Sequence, residues 1–210
     1  MNNIFVYIEI EDGAIADVSL ELLTKGRELA ATLGVKLEAV VLGHNVEGIE
    51  KELAAYGADT VWVADDELFA QFRTLPHTSV LCGLIKAEQP QIVLFGATPV
   101  GRDFAPRVSS ALHSGLTADC TKLEIAEDKE LWSTRPAFGG NIIATIINPE
   151  TRPQMATVRE GVMKKEIYSE THKGSLNVLD VAKYVEESDF CVKILSREIE
   201  AQKINIKNYL

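Results

Sequence analysis

The sequence predicts an α/β fold: a three-layer sandwich whose mostly parallel sheet lies between helices and takes additional strands from the second half. Two observations carry this. The first half alternates short β-rich runs with longer amphipathic stretches, the pattern of parallel strands joined by crossover helices. Further on, Gln91-Ile92-Val93-Leu94-Phe95 is an unbroken apolar run between Pro90 and Gly96, which suits a central strand buried on both faces.

Residues 4–10 read as the first strand. A helix follows from Ser19 to Leu33, with Ser19 as N-cap, Leu22, Leu23, Leu29, Ala30 and Leu33 at helical spacing, and Gly34 as the stop. Residues 37–42 form the second strand, 46–56 a helix closed by Gly57, and 60–63 the third strand. An acidic connection, Asp65-Asp66-Glu67, leads to a helix over 78–88, the central strand, and a helix over 101–112. From Ala118 the texture changes to short pieces, 119–125, 131–134, 142–147 and 154–158, separated by Gly, Pro, Asn and acidic turns. Residues 191–195 read as a last strand before a mixed-charge tail. The expected organisation is one α/β domain over 1–190, then a final strand and linker over 191–210.

A chain of 210 residues that is 46% hydrophobic can bury a sizeable core without staples. Its formal charge of −10, from 21 basic against 31 acidic side chains, argues against nucleic acid and anionic membranes as partners. No apolar run approaches the roughly 20 residues of a membrane span, and Met1-Asn2-Asn3 leads into the first strand without a signal-peptide pattern. Three widely spaced cysteines, Cys82, Cys120 and Cys191, suit reduced thiols in a cytoplasm. The four histidines show no metal-ligand spacing, and Ser109, Ser110, His113 and Ser114 lack a nucleophile elbow.

Three constellations have chemical potential. The turn from Gly96 to Arg102 joins a central strand to a helix, where backbone N–H groups favour an anion, although it lacks the spacing of a P-loop and a plain tight turn explains it equally well. Arg135 precedes Pro136, which fixes the backbone, and Gly139-Gly140, which permit close approach of a backbone or planar ring. A guanidinium held there could stabilise negative charge on such a ring; alternatively it pairs with a carboxylate while the glycines form a bulge. Arg152 and Arg159 flank Met155, a composition seen at interfaces, with Pro153 expected to restrict the strand to a sheet edge.

The stretch Thr134-Arg135-Pro136-Ala137-Phe138-Gly139-Gly140-Asn141, with Met155-Ala156-Thr157-Val158-Arg159-Glu160-Gly161-Val162-Met163, resembles a motif pair in the alpha subunit of electron transfer flavoproteins. The resemblance extends through Asp17-Val18-Ser19-Leu20-Glu21-Leu22, Leu94-Phe95-Gly96-Ala97-Thr98, Gly101-Arg102-Asp103 and Gly115-Leu116-Thr117-Ala118-Asp119-Cys120. It covers nearly the whole chain and points to that family's N-terminal domain. Glu160 departs from it, since the family often has Pro there.

The resemblance implies a Rossmann-like unit that pairs with a similarly folded beta subunit. The complete complex would exchange electrons with an acyl-CoA dehydrogenase or similar redox enzyme, in simple or electron-bifurcating form. FAD would sit mainly on a further alpha-subunit domain, absent from these 210 residues, and on the partner subunit, so the isolated chain is expected to be flavin-free. Arg135, Pro136, Phe138, Gly139, Gly140 and Asn141 are the implied cofactor-facing residues. A stand-alone adenine-nucleotide module, using the turn from Gly96 to Arg102, is the alternative.

Overall fold

The computed structural model of the protein describes residues 3–11 and 13–196. In chain order the strands and helices are β1 (Ile4–Ile8), β2 (Ile10–Glu11), β3 (Ala14–Ile15), α1 (Asp17–Leu33), β4 (Leu37–Gly43), α2 (Ile49–Ala55), β5 (Thr60–Asp65), α3 (Thr74–Glu88), β6 (Ile92–Gly96) and α4 (Pro99–Leu112). The remainder adds β7 (Leu116–Cys120), β8 (Lys122–Ile125), β9 (Leu131–Ala137), β10 (Ile142–Ile146), β11 (Gln154–Val158) and β12 (Ser175–Val178).

Seven strands form one parallel sheet in the order β12-β5-β4-β1-β6-β11-β7. Period-two alternation divides its side chains between two cores. Ile4, Val6, Ile8, Ile92 and Leu94 pack with Leu22, Leu23 and Leu29 of α1 and Leu53 of α2. Phe5, Tyr7, Val93 and Phe95 pack on the other face with Val80, Leu81 and Leu84 of α3 and Phe104 and Val108 of α4. This is the expected three-layer, Rossmann-like α/β arrangement. A second sheet, β10-β9-β8, is antiparallel, and its Leu123 and Leu131 join the α1-side core.

The central position expected for residues 92–95 holds: β6 is buried throughout and lies between β1 and β11. Gly34 closes α1 at φ +70°, a conformation for which glycine carries no side-chain penalty. Ser19, expected as N-cap, lies inside α1; the helix starts at Asp17, and the Ser19 hydroxyl accepts a 2.9 Å hydrogen bond from the Glu9 N–H. It fastens helix to strand instead of starting the helix.

Three other expectations need correction. Residues 119–125 are two strands, because Asp119 at φ +66° turns the chain and passes it from the large sheet to the small one. The strand beginning at Gln154 is no edge: β11 pairs with β6 and β7, and Pro153 precedes the ladder, so its missing N–H leaves no gap. Residues 191–195, expected as the last strand, form no strand; the last strand among the described residues is β12, paired to β5. Residues 197–210, the remainder of the expected linker, lie outside the described residues.

Between β11 and Ser196 the chain runs as a strap around the domain. Lys165 bonds Asp17 at 2.8 Å, His172 approaches Asp59 at 3.2 Å, and Asp189 accepts from the Ser79 hydroxyl at 2.9 Å. No helix among the described residues is long and apolar enough to cross a membrane.

Candidate functional site

The six residues singled out by the sequence lie together at the end of β9 and in its turn into β10. Near the body of the domain β9 alternates as a half-buried strand should: Leu131 and Ser133 face inward and Trp132 outward. Pairing with β8 stops at Thr134, whereas β10 continues alongside, so Arg135 lies opposite Ala144 and Pro136 opposite Ile143. Pro136 is tolerated because β8 offers no partner at that position. Beyond it, Phe138, Gly139 and Gly140 adopt φ of +49°, +69° and +90°. Glycine is favoured at the last two by this left-handed path. The close approach expected there is not made by this chain, since a Cβ on either glycine would meet nothing within 4 Å.

This hairpin is apolar and uncovered. Phe138 is 81% exposed and Ile143 74%, with Trp132, Ile142, Ile146 and Ile147 also exposed. Arg135 stands at its base, half-buried. Its Nε is sealed from solvent without a hydrogen-bond partner, and among the described residues it forms no ion pair. The carboxylate partner that a purely structural role requires is therefore missing, and a sealed, unpaired guanidinium nitrogen is a costly feature for a fold to keep.

Cys120 lies within reach of this charge. Burial pushes its thiol up to about 11, while a hydrogen bond with Ser133 and the positive charge of Arg135 pull the other way. The thiol stays protonated at neutral pH and is no nucleophile.

The carboxylates that sequence reading sought near the arginines lie elsewhere. Asp119 bridges two of them, with Arg102 Nη2 at 2.7 Å and Arg159 Nη2 at 3.1 Å. Glu130 takes Arg152 at 2.5 Å and the Gln154 amide at 2.6 Å. Arg102 thus pairs across 17 residues, not with the adjacent Asp103, which accepts from Thr74 instead. Met155 is buried in the α3-side core, so the interface composition suggested around it resolves into packing plus two ion-pair clasps.

The anion cradle expected after β6 is filled from within. Thr98 Oγ1 accepts from Gly101 N at 2.9 Å and donates to Glu9 Oε2 at 2.6 Å, and Arg102 Nε donates to the Ala97 carbonyl at 2.8 Å. A Cβ at Gly101 would stand 1.9 Å from the Gly96 carbonyl oxygen, so glycine here permits the helix to seat on its strand. Burial raises the Glu9 and Glu21 carboxyls above the ordinary range, and nearby Glu160 raises both further. A negative, already capped helix start is a poor phosphate site. The serines near His113 build no nucleophile either: His113 ends α4 in a left-handed turn, and the Ser114 hydroxyl donates to the Pro153 carbonyl.

Comparison with known proteins agrees with the motif reading. The family model described as electron transfer flavoprotein domain matches residues 4–184. The electron transfer flavoprotein subunit alpha of Thermoanaerobacterium thermosaccharolyticum is 45% identical over 202 residues, covering 96% of this chain and 61% of the relative. Its counterpart in Clostridium acetobutylicum is 47% identical over 192 residues, covering 91% and 57%. The LctC subunit of a lactate dehydrogenase (NAD(+),ferredoxin) from Acetobacterium woodii is 42% identical over 180 residues, covering 86% and 43%. The chain thus spans at most 61% of the length of these curated relatives.

Proposed function

The chain belongs to the electron transfer flavoprotein family, and from that membership we propose that it is the alpha-subunit portion that scaffolds a heterodimer with a beta subunit and presents the β9–β10 hairpin to a flavin. The observation that carries this reading is the half-buried Arg135 guanidinium, without an ion pair among the described residues, at the base of an uncovered apolar hairpin. An acceptor group brought by another polypeptide or domain would meet the Nη groups of Arg135, which hold no ion pair among the described residues, and a planar ring system would cover the surface around Phe138.

FAD fits the residues present. When bound it supplies reversible electron uptake and release. The chain's own contribution is electrostatic and steric. The Arg135 guanidinium would hold a fixed positive charge toward such a group, and its partly buried setting would strengthen that effect relative to water. Phe138 and the branched side chains of β10 would exclude water once covered, and the exposed Asn141 offers amide hydrogen bonds at the turn. Pro136 holds the strand on which Arg135 stands.

The electron donors and acceptors are dehydrogenases and other carriers reached through the complete complex, an acyl-CoA dehydrogenase or a similar enzyme among them. Similarity to a subunit of a lactate dehydrogenase named for both NAD(+) and ferredoxin favours, as a second reading, an electron-bifurcating complex. The buried free thiols Cys82 and Cys120 are consistent with a reducing cytoplasm.

The decisive experiment replaces Arg135 by Ala in the complete heterodimer and measures the flavin midpoint potential. A lower potential, partly restored by Arg135→Lys, is expected; an unchanged potential with full flavin content sinks the redox role. The 210-residue chain alone is expected to purify colourless, and stoichiometric yellow flavin on it would move the cofactor site into this domain.

A further inference from the structure

On the opposite side of the sheet from the hairpin, a cleft of about 670 Å³ opens at the carboxyl ends of β1 and β4. Its volume is within the range of small-molecule sites. It also lies beside the point where the strand order reverses, between β1 and β6, which is where open α/β sheets take ligands. Nothing in the electron-transfer reading uses it.

The cleft has apolar walls and a polar floor. Leu42, Phe69, Phe72 and Val100 line its sides. At its base are Tyr7, 4% exposed, and His77, 2% exposed. The His77 ring is held edge-on among Phe69, Phe72 and Phe104, and its Nδ1 lies 2.8 Å from the Arg73 carbonyl, which can only accept, so Nδ1 carries the proton. Burial lowers the ring's pKa to about 4, which leaves Nε2 a bare acceptor at neutral pH. Among the described residues neither Nε2 nor the Tyr7 hydroxyl is hydrogen-bonded, and both side chains line the cleft. Glu9 adds a buried carboxylate with one oxygen committed to Thr98.

We propose that this cleft binds a planar, phosphate-free nitrogen heterocycle of the nucleoside class. Buried polar groups without internal partners call for a ligand carrying complementary donors and acceptors, and the flanking phenyl rings suit a flat aromatic body. Among the described residues the lining holds no Lys or Arg, and it carries Glu9 and Glu11. A phosphate would therefore be repelled, whereas an exocyclic amino group and sugar hydroxyls would donate to Glu9 and His77 Nε2.

The test titrates adenosine into the 210-residue chain, with AMP in parallel, by calorimetry and ligand-observed NMR. Saturable adenosine binding is expected, with AMP roughly tenfold weaker or worse from the added charge. Tyr7→Phe keeps the ring and removes one hydrogen bond, so affinity should fall by about fivefold to tenfold. Val100→Trp, at the rim, should abolish binding while the circular dichroism spectrum is kept. No saturable binding, AMP binding as well as adenosine, or full affinity in the folded Val100→Trp variant would each overturn the proposal.

Discussion

Strands β6 and β10 are built from nearly the same kind of residue and end in opposite surroundings. Ile92, Val93, Leu94 and Phe95 of β6 are all buried, each against a partner strand or helix of this chain. In β10 only Ala144 escapes high exposure, and Ile142, Ile143 and Ile146 face solvent. Composition does not decide the difference; topology does. β6 is an interior strand of a sheet covered on both faces, whereas β10 is the outer strand of a three-stranded ribbon. An outer strand normally protects itself with charge, Pro or a bulge. From Gly139 to Asn148 this one carries no charged side chain, which is what a surface covered by a second polypeptide requires.

The burial behind β6 is tested at Phe104. Phe104 is fully buried and meets Phe95, Tyr7 and Phe72 at ring-centroid distances of 5.8, 4.8 and 5.7 Å. Phe104→Ala should lower the unfolding free energy by about 3–5 kcal/mol in urea titrations. A loss below about 1 kcal/mol would mean that the α3-side core collapses readily around the void.

Acid probes the same core through His77. Its folded pKa, about 4, lies below the ordinary 6.5, so as pH falls from about 6.5 towards 4 the unfolded chain takes up a proton that the folded chain refuses. Stability should fall through that window, by up to about 3 kcal/mol near its lower end. Glu9, Glu21 and Glu38 act in the opposite sense, because burial raises their folded pKa values, so the folded state gains protons first. The stability of wild type minus that of His77→Phe, followed from pH 7 to pH 4, isolates the histidine; a flat difference would refute the assignment.

Gly101→Ala tests the joint between β6 and α4. The added methyl meets a backbone carbonyl, which cannot rotate away as a side chain would. A loss of about 1–3 kcal/mol is expected, against the gain that Ala ordinarily brings to a helix. A stabilised variant would show that the helix shifts freely on its strand.

The same contrast explains what could be read from the sequence. Strands of the parallel core announced themselves, because burial on both faces selects continuous β-branched and aromatic runs. Ser175–Val178 did not, since β12 is a short edge with exposed Leu176 and Val178 and carries no periodic signal. The Arg-Pro-Ala-Phe-Gly-Gly-Asn stretch was legible as a motif, but the isolation of Arg135 was not. Sequence offered several acidic neighbours, and only the fold shows Asp119 and Glu130 already committed to other arginines. Pro153 misled because a proline just before a strand and one within it look alike until the ladder is known.

Ile143→Ser removes an apolar side chain that is 74% exposed, so the unfolding free energy of the chain alone should change by no more than about 0.5 kcal/mol. If the hairpin is half of an interface, the same substitution should weaken association with the beta subunit by roughly tenfold or more. Replacing Ile92 by Ser would do the reverse, since that residue is buried in the chain's own core. Should Ile143→Ser leave heterodimer affinity intact, the apolar ribbon would face something other than the beta subunit. If instead it destabilises the isolated chain by several kcal/mol, β10 packs within this polypeptide and the contrast with β6 fails.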